Sequence, residues 1–259
     1  MGSVDDSVIV KSEEGFTTIT MNRPERRNAL SLGLMTDLTA AFRAAGEGDD
    51  RGVILAANGP VFSAGHDFAD LAGADLDAVR LVLEACTELM TTIQTIPQPV
   101  VARVHGLATA AGCQLVATAD LAVAADTAGF ATPGGKGGWF CHTPLVAVGR
   151  NVGRKRAVEL ALTGDTIDAR TAAEWGLVNR VVTAPELDDA TLELLRRATR
   201  GSVGSKALGK QTFYAQIDMS QGDAYAYALD VMARSGVSPD AQEGFAAFLE
   251  KRKPRFGTG

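Results

Sequence analysis

Short apolar runs alternate with segments of helical period through the N-terminal part of the chain. A first strand is predicted near Val8–Ser12, and the alternation of apolar and polar residues in Phe16–Met21 predicts a half-buried second strand. Apolar runs rich in valine and alanine at Val53–Ala57, Val100–Val104 and Leu121–Ala125 predict short buried strands. Strands that alternate with helices in this way indicate an α/β fold built from stacked ββα units.

Helix signals lie between these strands and dominate the rest of the chain. Ser31 is a predicted N-cap for a helix that carries Leu34 and Leu38 on its apolar face and stops at Gly46 or Gly48. The other predicted helices are Asp75–Ile96, Ala111–Thr118, Ala169–Trp175, Pro185–Thr199, Ser205–Gln216, Gly222–Ser235 and Pro239–Lys251. The period by itself therefore predicts an α/β part followed by helices.

Composition narrows the classes of protein to which the chain belongs. Of its 259 residues 46% are hydrophobic, enough for a sizeable core. Three cysteines, Cys86, Cys113 and Cys141, lack CxxC spacing and predict buried thiols, and the three histidines form no metal-binding pattern. A net charge of −6 gives no general attraction for nucleic acid. Neither a signal-peptide pattern nor an apolar run of about 18 residues is visible, so we expect a cytoplasmic location and no membrane partner.

Two glycine-centred turns that follow strand-like runs carry the candidate chemistry. The first is Ser63-Ala64-Gly65-His66-Asp67, and the second runs from His105-Gly106 to Gly112-Cys113-Gln114. Backbone N–H groups in such turns can point at a carbonyl oxygen on which negative charge develops, and losing one donor typically costs about 2.7–4 kcal/mol of transition-state stabilisation. The two turns therefore predict an oxyanion hole for an activated acyl group.

With the segments around them, the two turns resemble the crotonase superfamily, the enoyl-CoA hydratase/isomerase family. The likeness covers nearly the whole chain and rests on the order of Met21-Asn22-Arg23-Pro24, Asn28-Ala29-Leu30, Phe62 to Asp67, Pro99 to Ala102, His105-Gly106, Gly112-Cys113, Leu162 to Asp165, Ala173 to Val178 and Phe248 to Pro254. The run from Leu107 to Ala117, followed by Phe130 to Gly134, looks like the enoyl-CoA hydratase domain-containing protein 3 branch. The resemblance implies a ClpP-like spiral of ββα units over residues 1–200 that carries the acyl-CoA site. It also implies a C-terminal helical region over residues 201–259 that closes over coenzyme A and forms a homotrimer or homohexamer.

The resemblance also assigns roles to particular residues. It implies that the backbone N–H groups of His66 and Ala111 form the oxyanion hole, although the family usually has glycine at position 111, where alanine tolerates fewer backbone angles. It places the acyl-CoA contacts at Arg27, Ala29, Ala64, His66, Asp67, Phe68, Phe248 and Lys251. The basic residues around Arg23 to Arg27 and around Lys251 to Arg255 would help to hold the phosphates and adenine. No permanently bound cofactor is expected, and a coenzyme A thioester is the substrate or ligand.

Two positions depart from the pattern that the resemblance implies for hydratases. Such hydratases place glutamates at the positions of Gln114 and Gly134, where they ionise water and protonate carbon. Glutamine cannot carry a proton away at neutral pH, and glycine has no side chain. Since a positioned acid or base contributes about 10²–10⁴ in rate, we expect hydratase activity to be weak or absent.

Several alternatives stay open at this stage. The His66 ring is a candidate acid or base, whereas Cys141 and His142 are sequence neighbours and make a poor nucleophile–base pair. The glycine-rich segment Gly134–Gly138 predicts a flexible wall of the acyl pocket. Three readings of the function stay open, and the first is an enzyme of fatty acid metabolism that acts on acyl-CoA through the oxyanion hole, with a lyase or hydrolase step such as thioester cleavage or decarboxylation. The other two readings are a slow hydratase and a non-catalytic acyl-CoA-binding trimer.

Overall fold

The computed structural model describes residues 7–257 and contains two β-sheets surrounded by helices. The larger sheet has six strands in the order β1-β2-β3-β5-β7-β10. Its strands are β1 (Val8–Glu13), β2 (Phe16–Met21), β3 (Val53–Ala57), β5 (Val100–Val104), β7 (Leu121–Ala125) and β10 (Arg180–Val182). The β1–β2 hairpin is antiparallel and every later pairing is parallel, so each later connection must cross over through a helix or a loop.

A smaller sheet of four strands carries the turns predicted above. Its order is β4-β6-β8-β9, formed by β4 (Val61–Ser63), β6 (Leu107–Thr109), β8 (Gly129–Ala131) and β9 (Ile167–Asp168). β4, β6 and β8 run parallel, so the chain leaves all three at the same edge of the sheet. The first turn follows β4, the second turn contains β6 and continues into α3, and the glycine-rich segment follows β8, which places the three side by side.

Ten helices complete the described part of the chain. They are α1 (Leu32–Glu47), α2 (Leu76–Thr95), α3 (Ala111–Thr118), α4 (Pro144–Val152), α5 (Arg154–Thr163), α6 (Ala169–Trp175), α7 (Leu187–Ala198), α8 (Val203–Gln216), α9 (Gln221–Ser235) and α10 (Pro239–Leu249). Ser31 caps α1 as predicted, since its side chain accepts a hydrogen bond from the Leu34 N–H at 3.2 Å. Within residues 7–257 no helix combines the length and the apolar character needed to cross a membrane.

The central strands β3, β5 and β7 of the larger sheet are buried on both faces, as their continuous apolar sequences require, whereas the edge strand β1 is mostly exposed. Alternate side chains of one strand point to opposite faces, so Val100 joins the main core while Val101 joins a smaller cluster with Leu187 and Leu195 of α7. This burial explains why the sequence pattern identified β2, β3, β5 and β7 at their observed bounds. The strands of the smaller sheet are two or three residues long, as is β10, too short to show a period, and they were not predicted. Helices α4 and α5 were missed as well.

A buried ion pair fastens the C-terminal helices to this core. Lys210 of α8 lies 2.8 Å from the Asp120 carboxylate, and its ammonium group also donates to the Ile93 and Gln98 carbonyl oxygens. Asp120 accepts further hydrogen bonds from the Val100 N–H and from a tyrosine hydroxyl of α8. Every charge in the pair therefore has hydrogen-bond partners, which is the condition for burying an ion pair. The division at residue 200 stays a prediction.

Candidate functional site

The first turn is held so that one backbone N–H points away from its neighbouring segment. Leu30 and His66 form a parallel bridge in which the Leu30 N–H donates to the Gly65 carbonyl at 2.7 Å and the Asp67 N–H donates to the Leu30 carbonyl at 3.1 Å. In such a bridge the flanking residues make the hydrogen bonds and the bridged residue faces outward. The His66 N–H is thus left for another acceptor.

A buried asparagine and serine fix this turn. The Asn28 side chain accepts from the Arg23 N–H at 2.9 Å and donates to the carbonyl oxygens of Asn58 and Val61. Its own carbonyl accepts from the Ser63 hydroxyl at 2.8 Å, and the same hydroxyl accepts from the Gly65 N–H at 3.3 Å. Asn28 and Ser63 entered the sequence argument only as parts of motifs. In the structure they position the first turn.

The second turn ends at the N-terminus of α3. Ala111 is the first residue of this helix, so its N–H is one of the four that have no partner inside the helix, and the positive end of the helix dipole lies there. The expectation that position 111 is conformationally demanding is not met. The demanding residue is Ala110, with φ +51° and ψ −119°, in a region that favours glycine.

Two glycines bring the turns into direct contact. A Cβ on Gly65 would lie 2.9 Å from the Ala110 Cβ and 3.3 Å from the Ala111 nitrogen. A Cβ on Gly112 would lie 2.4 Å from the Ser63 carbonyl oxygen. Side chains at either position would separate the turns. The structure therefore brings the segments carrying the His66 and Ala111 N–H groups together, as the oxyanion-hole prediction requires.

The two positions at which the resemblance puts the hydratase glutamates lie in α3, at Gln114, and just after β8, at Gly134. Gln114 is buried in the first turn of α3, and the thiol of Cys86 lies 3.9 Å from its side-chain oxygen. Gly134 begins the glycine-rich segment, which forms a 3-10 turn over Pro133–Gly137. A Cβ on Gly134 would lie 2.2 Å from the Trp139 carbonyl oxygen, so the backbone leaves no room for a side chain there.

Comparison with known proteins decides the family. A family model described as enoyl-CoA hydratase/isomerase matches residues 11–259. The chain belongs to the enoyl-CoA hydratase/isomerase family. It is 43% identical to the rat enoyl-CoA hydratase domain-containing protein 3, over 94% of this chain and 82% of the rat protein. This finding confirms the predicted family and branch.

Solved structures in this family confirm the fold. The chain superimposes on an enoyl-CoA hydratase from Mycobacterium smegmatis with a TM-score of 0.93 and 44% identity, covering 96% of this chain and 98% of that one. The human enoyl-CoA hydratase domain-containing protein 3 gives a TM-score of 0.92 and 41% identity, with 96% and 99% covered. The crotonase fold is therefore established for this chain.

The same relatives correct the predicted location. The names of the rat and human proteins describe them as mitochondrial, which contradicts the expectation of a cytoplasmic location. That expectation rested on the lack of a targeting pattern in the sequence, which is weak evidence about where a protein resides. We withdraw it.

Most residues that the family resemblance assigns to acyl-CoA binding lie on two adjoining segments. The Ala64 N–H donates to the Arg27 carbonyl at 3.0 Å, which joins residues 27–29 to residues 64–68. Arg27 is exposed, Ala29 is buried, and Phe68 is 68% exposed. Phe248 lies in the last turn of α10 and Lys251 just after it, and in residues 7–257 no hydrogen bond or ion pair links them to these segments.

Ion pairs occupy part of the predicted phosphate-binding clusters. Asp67 is buried and its carboxylate binds Arg26 at 3.1 Å and Arg23 at 3.6 Å. In the C-terminal cluster Arg252 forms two hydrogen bonds with Glu243, which lower the pKa of that carboxyl to about 2. Arg27 and Lys251 form no ion pair within the described chain, so both remain available to an anionic ligand.

The remaining polar candidates differ in accessibility. Cys86, Cys113 and Cys141 are free, buried thiols as predicted, and burial raises the pKa of Cys86 and Cys113 to about 12. The Cys141 sulfur accepts from the Gly134 N–H at 3.3 Å, whereas His142 is exposed and packs on Phe140. The structure shows no nucleophile–base pair between these neighbours. Residues 7–257 hold no metal-binding cluster of histidine, cysteine or carboxylate side chains.

Each turn carries one imidazole, and the His105 ring of the second turn is bound through Nε2 to the Gly59 carbonyl at 2.8 Å, which leaves the His66 ring of the first turn as the candidate. Its centroid lies 5.8 Å from that of Trp139, and both ring nitrogens are buried without a hydrogen-bond partner among the described residues. Burial lowers the pKa of His66, and the nearby Leu30 carbonyl and Asp70 carboxylate offset part of this shift. The ring is therefore neutral at pH 7.

Proposed function

We propose that this chain binds an acyl-CoA thioester and polarises its carbonyl with the backbone N–H groups of His66 and Ala111. The observation that supports the proposal is the contact of the two turns through Gly65 and Gly112, together with the lack of a backbone acceptor for the His66 and Ala111 N–H groups in the described chain. The helix dipole of α3 adds positive potential at the same point. Family membership supplies the ligand class, because enoyl-CoA is the substrate in the family's name.

Hydration itself is weak or absent under this proposal. Gln114 offers an amide that cannot exchange a proton at neutral pH, and the position of Gly134 is closed by backbone. Cys86 has its pKa raised to about 12, so its thiol remains protonated beside Gln114. A place in fatty acid metabolism remains an expectation drawn from the family.

The coenzyme A part would lie along the segments joined at Arg27 and Ala64. Arg27 supplies an exposed cation for a phosphate, and the exposed Phe68 ring supplies an apolar surface for the pantetheine or adenine. Asp67 contributes indirectly because it holds Arg23 and Arg26 in place.

Infrared spectroscopy of the bound ligand tests the carbonyl contact. We expect butyryl-CoA labelled with ¹³C at the carbonyl to show a lower stretching frequency when bound, because hydrogen bonds weaken the C=O bond. The test variant is Ala110→Gly/Ala111→Pro, which removes one N–H at the first helical position, where proline is tolerated. Ala110→Gly is included because Ala110 has positive φ, which conflicts with a following proline. The matched control is therefore Ala110→Gly alone. An equal frequency shift in both variants would overturn the proposal.

We also propose that the chain assembles as a homotrimer or homohexamer through its C-terminal helices. In α9 the side chains of Tyr225, Leu229 and Met232 lie one turn apart on a single face and are 71%, 70% and 78% exposed. In α10 Phe248 and Leu249 are 83% and 78% exposed. Apolar faces of this kind mark protein interfaces. Leu229→Glu should reduce the mass measured by light scattering to that of a smaller species, and an unchanged mass would contradict this interface.

A further inference from the structure

The two ring nitrogens of His66 make no hydrogen bond of normal length and angle with the described protein, although the Leu30 carbonyl lies near enough to act on the ring. A neutral imidazole has one N–H donor and one lone-pair acceptor, and both ring nitrogens of His66 are buried without a partner. A buried polar group left unpaired costs about 1–3 kcal/mol, so it normally pairs with water or a ligand. Among residues 7–257 seven buried side-chain atoms lack a protein partner, and His66 is the only residue that contributes two of them.

The ring is placed beside the reacting centre of the proposed function. His66 supplies one oxyanion-hole N–H through its own backbone, so its ring lies within one side-chain length of the polarised carbonyl. Trp139 contacts the ring with centroids 5.8 Å apart, and the Trp139 N–H donates to the Gly134 carbonyl at 2.9 Å. The ring thus stands next to the segment in which position 134 lacks a carboxylate.

We propose that the His66 imidazole is the base that removes and returns a proton at the carbon next to the thioester carbonyl. This inference rests on the proposed acyl-CoA binding. The lone-pair nitrogen takes the proton, and the electron pair of the broken C–H bond forms a C=C bond to the carbonyl carbon. The carbonyl electron pair moves to oxygen, and the resulting enolate oxygen is bound by the two N–H groups. Reversal returns a proton, so no other reactant is consumed.

The charged and titratable groups around the ring are compatible with this role. Asp70 is the carboxylate that acts on His66, and it is held in place by the Leu32 N–H at 2.7 Å. Asp67 is neutralised by two arginines. Burial raises the pKa of Cys141, so this thiol stays protonated at neutral pH and does not compete as a base. The imidazole, by contrast, is neutral and has a free lone pair.

Deuterium exchange measures this step without knowledge of the full reaction. Butyryl-CoA is incubated in D₂O with the purified full chain, and deuterium at the carbon next to the carbonyl is followed by mass spectrometry. We expect exchange above the protein-free rate, and a fall of about 10²-fold or more in His66→Phe and His66→Gln, because a positioned base contributes about 10²–10⁴ in rate. Phe keeps the ring and Gln keeps a donor and an acceptor, and both keep the backbone N–H. His142→Phe, at an exposed ring, should exchange like the wild type.

A pH profile and a binding measurement separate the inference from a structural role and from failure of the proposed function. Wild-type exchange should fall as the ring is protonated in acid, and this step should be absent in His66→Gln. Calorimetry should give similar butyryl-CoA affinity for both proteins. The inference is overturned if His66→Gln exchanges deuterium at the wild-type rate. It is also overturned if the wild type binds butyryl-CoA with a shifted carbonyl frequency but shows no exchange. Both outcomes leave the proposed function intact. Loss of binding by the wild type would overturn both.

Discussion

The contact between the two turns predicts a large effect for a single methyl group at Gly112. In Gly112→Ala the new Cβ would lie 2.4 Å from the Ser63 carbonyl oxygen and 2.8 Å from the Ser63 Cβ. An ordinary contact begins at 3.4 Å, so the end of β4 and the start of α3 must separate by about 1 Å. Both contacting groups belong to well-packed segments, and a flexible side chain is not available to move instead.

The magnitude follows from overpacking. Forcing an extra methyl group into a packed interior costs about 1–3 kcal/mol. For a chain of this size about 1 kcal/mol corresponds to 2–4 °C, so the unfolding temperature should fall by about 2–12 °C. The same displacement moves the His66 N–H relative to the Ala111 N–H, so the carbonyl frequency shift of bound butyryl-CoA should also decrease.

We would measure the unfolding temperature by circular dichroism at fixed protein concentration. The infrared experiment would measure the carbonyl frequency shift of bound butyryl-CoA. Gly33→Ala is the matched control, because a Cβ there meets nothing within 4 Å and the residue lies in α1. Alanine is a better helix former than glycine, so this control should keep or raise the unfolding temperature. If Gly112→Ala unfolds at the wild-type temperature and keeps the carbonyl shift, the two turns do not pack as described.

Three further predictions concern positions 114 and 134, the buried Lys210–Asp120 ion pair and the C-terminal Arg252–Glu243 ion pair. Gln114→Glu/Gly134→Glu should not create crotonyl-CoA hydration, followed by ultraviolet absorbance, because a Cβ at 134 lies 2.2 Å from a backbone carbonyl oxygen. Lys210→Met should lower the free energy of unfolding by about 3–5 kcal/mol in denaturant titrations, because it leaves the Asp120 carboxylate buried and unpaired. The pKa of Glu243 is lowered from 4.5 to about 2, so the carboxylate stabilises the folded C-terminal segment fully above pH 4.5, and this stabilisation is lost as pH falls through about 2. Amide hydrogen exchange of residues 240–257 should therefore become faster over that pH range.

Controls accompany these predictions. The control for Lys210→Met is Arg43→Met, which removes an exposed ion pair with Glu88 and should change the free energy of unfolding by about 0–1 kcal/mol. An equal loss of stability in the two variants would show that burial does not make the Lys210 ion pair more important. Glu243→Gln should abolish the acid-dependent step in amide exchange. Substantial hydration by the double glutamate variant would contradict the closed backbone at Gly134.

The sequence by itself determined the elements with a strong period and the family. The long apolar strands β2, β3, β5 and β7 and the capped helix α1 were predicted because burial on one or both faces leaves a readable pattern. The order of short motifs such as Asn28-Ala29-Leu30 fixed the crotonase fold. The buried state of the three cysteines also followed from spacing and composition.

Only the tertiary structure decided how the site is assembled. Strands β4, β6 and β8 are too short to carry a period, yet their parallel pairing is what places the two turns and the glycine-rich segment together. The positive φ of Ala110 and the closed backbone around Gly134 arise from contacts between distant segments. The unpaired ring nitrogens of His66 are likewise a property of its surroundings. A local sequence window cannot encode these features, because each depends on residues that the fold brings together from far along the chain.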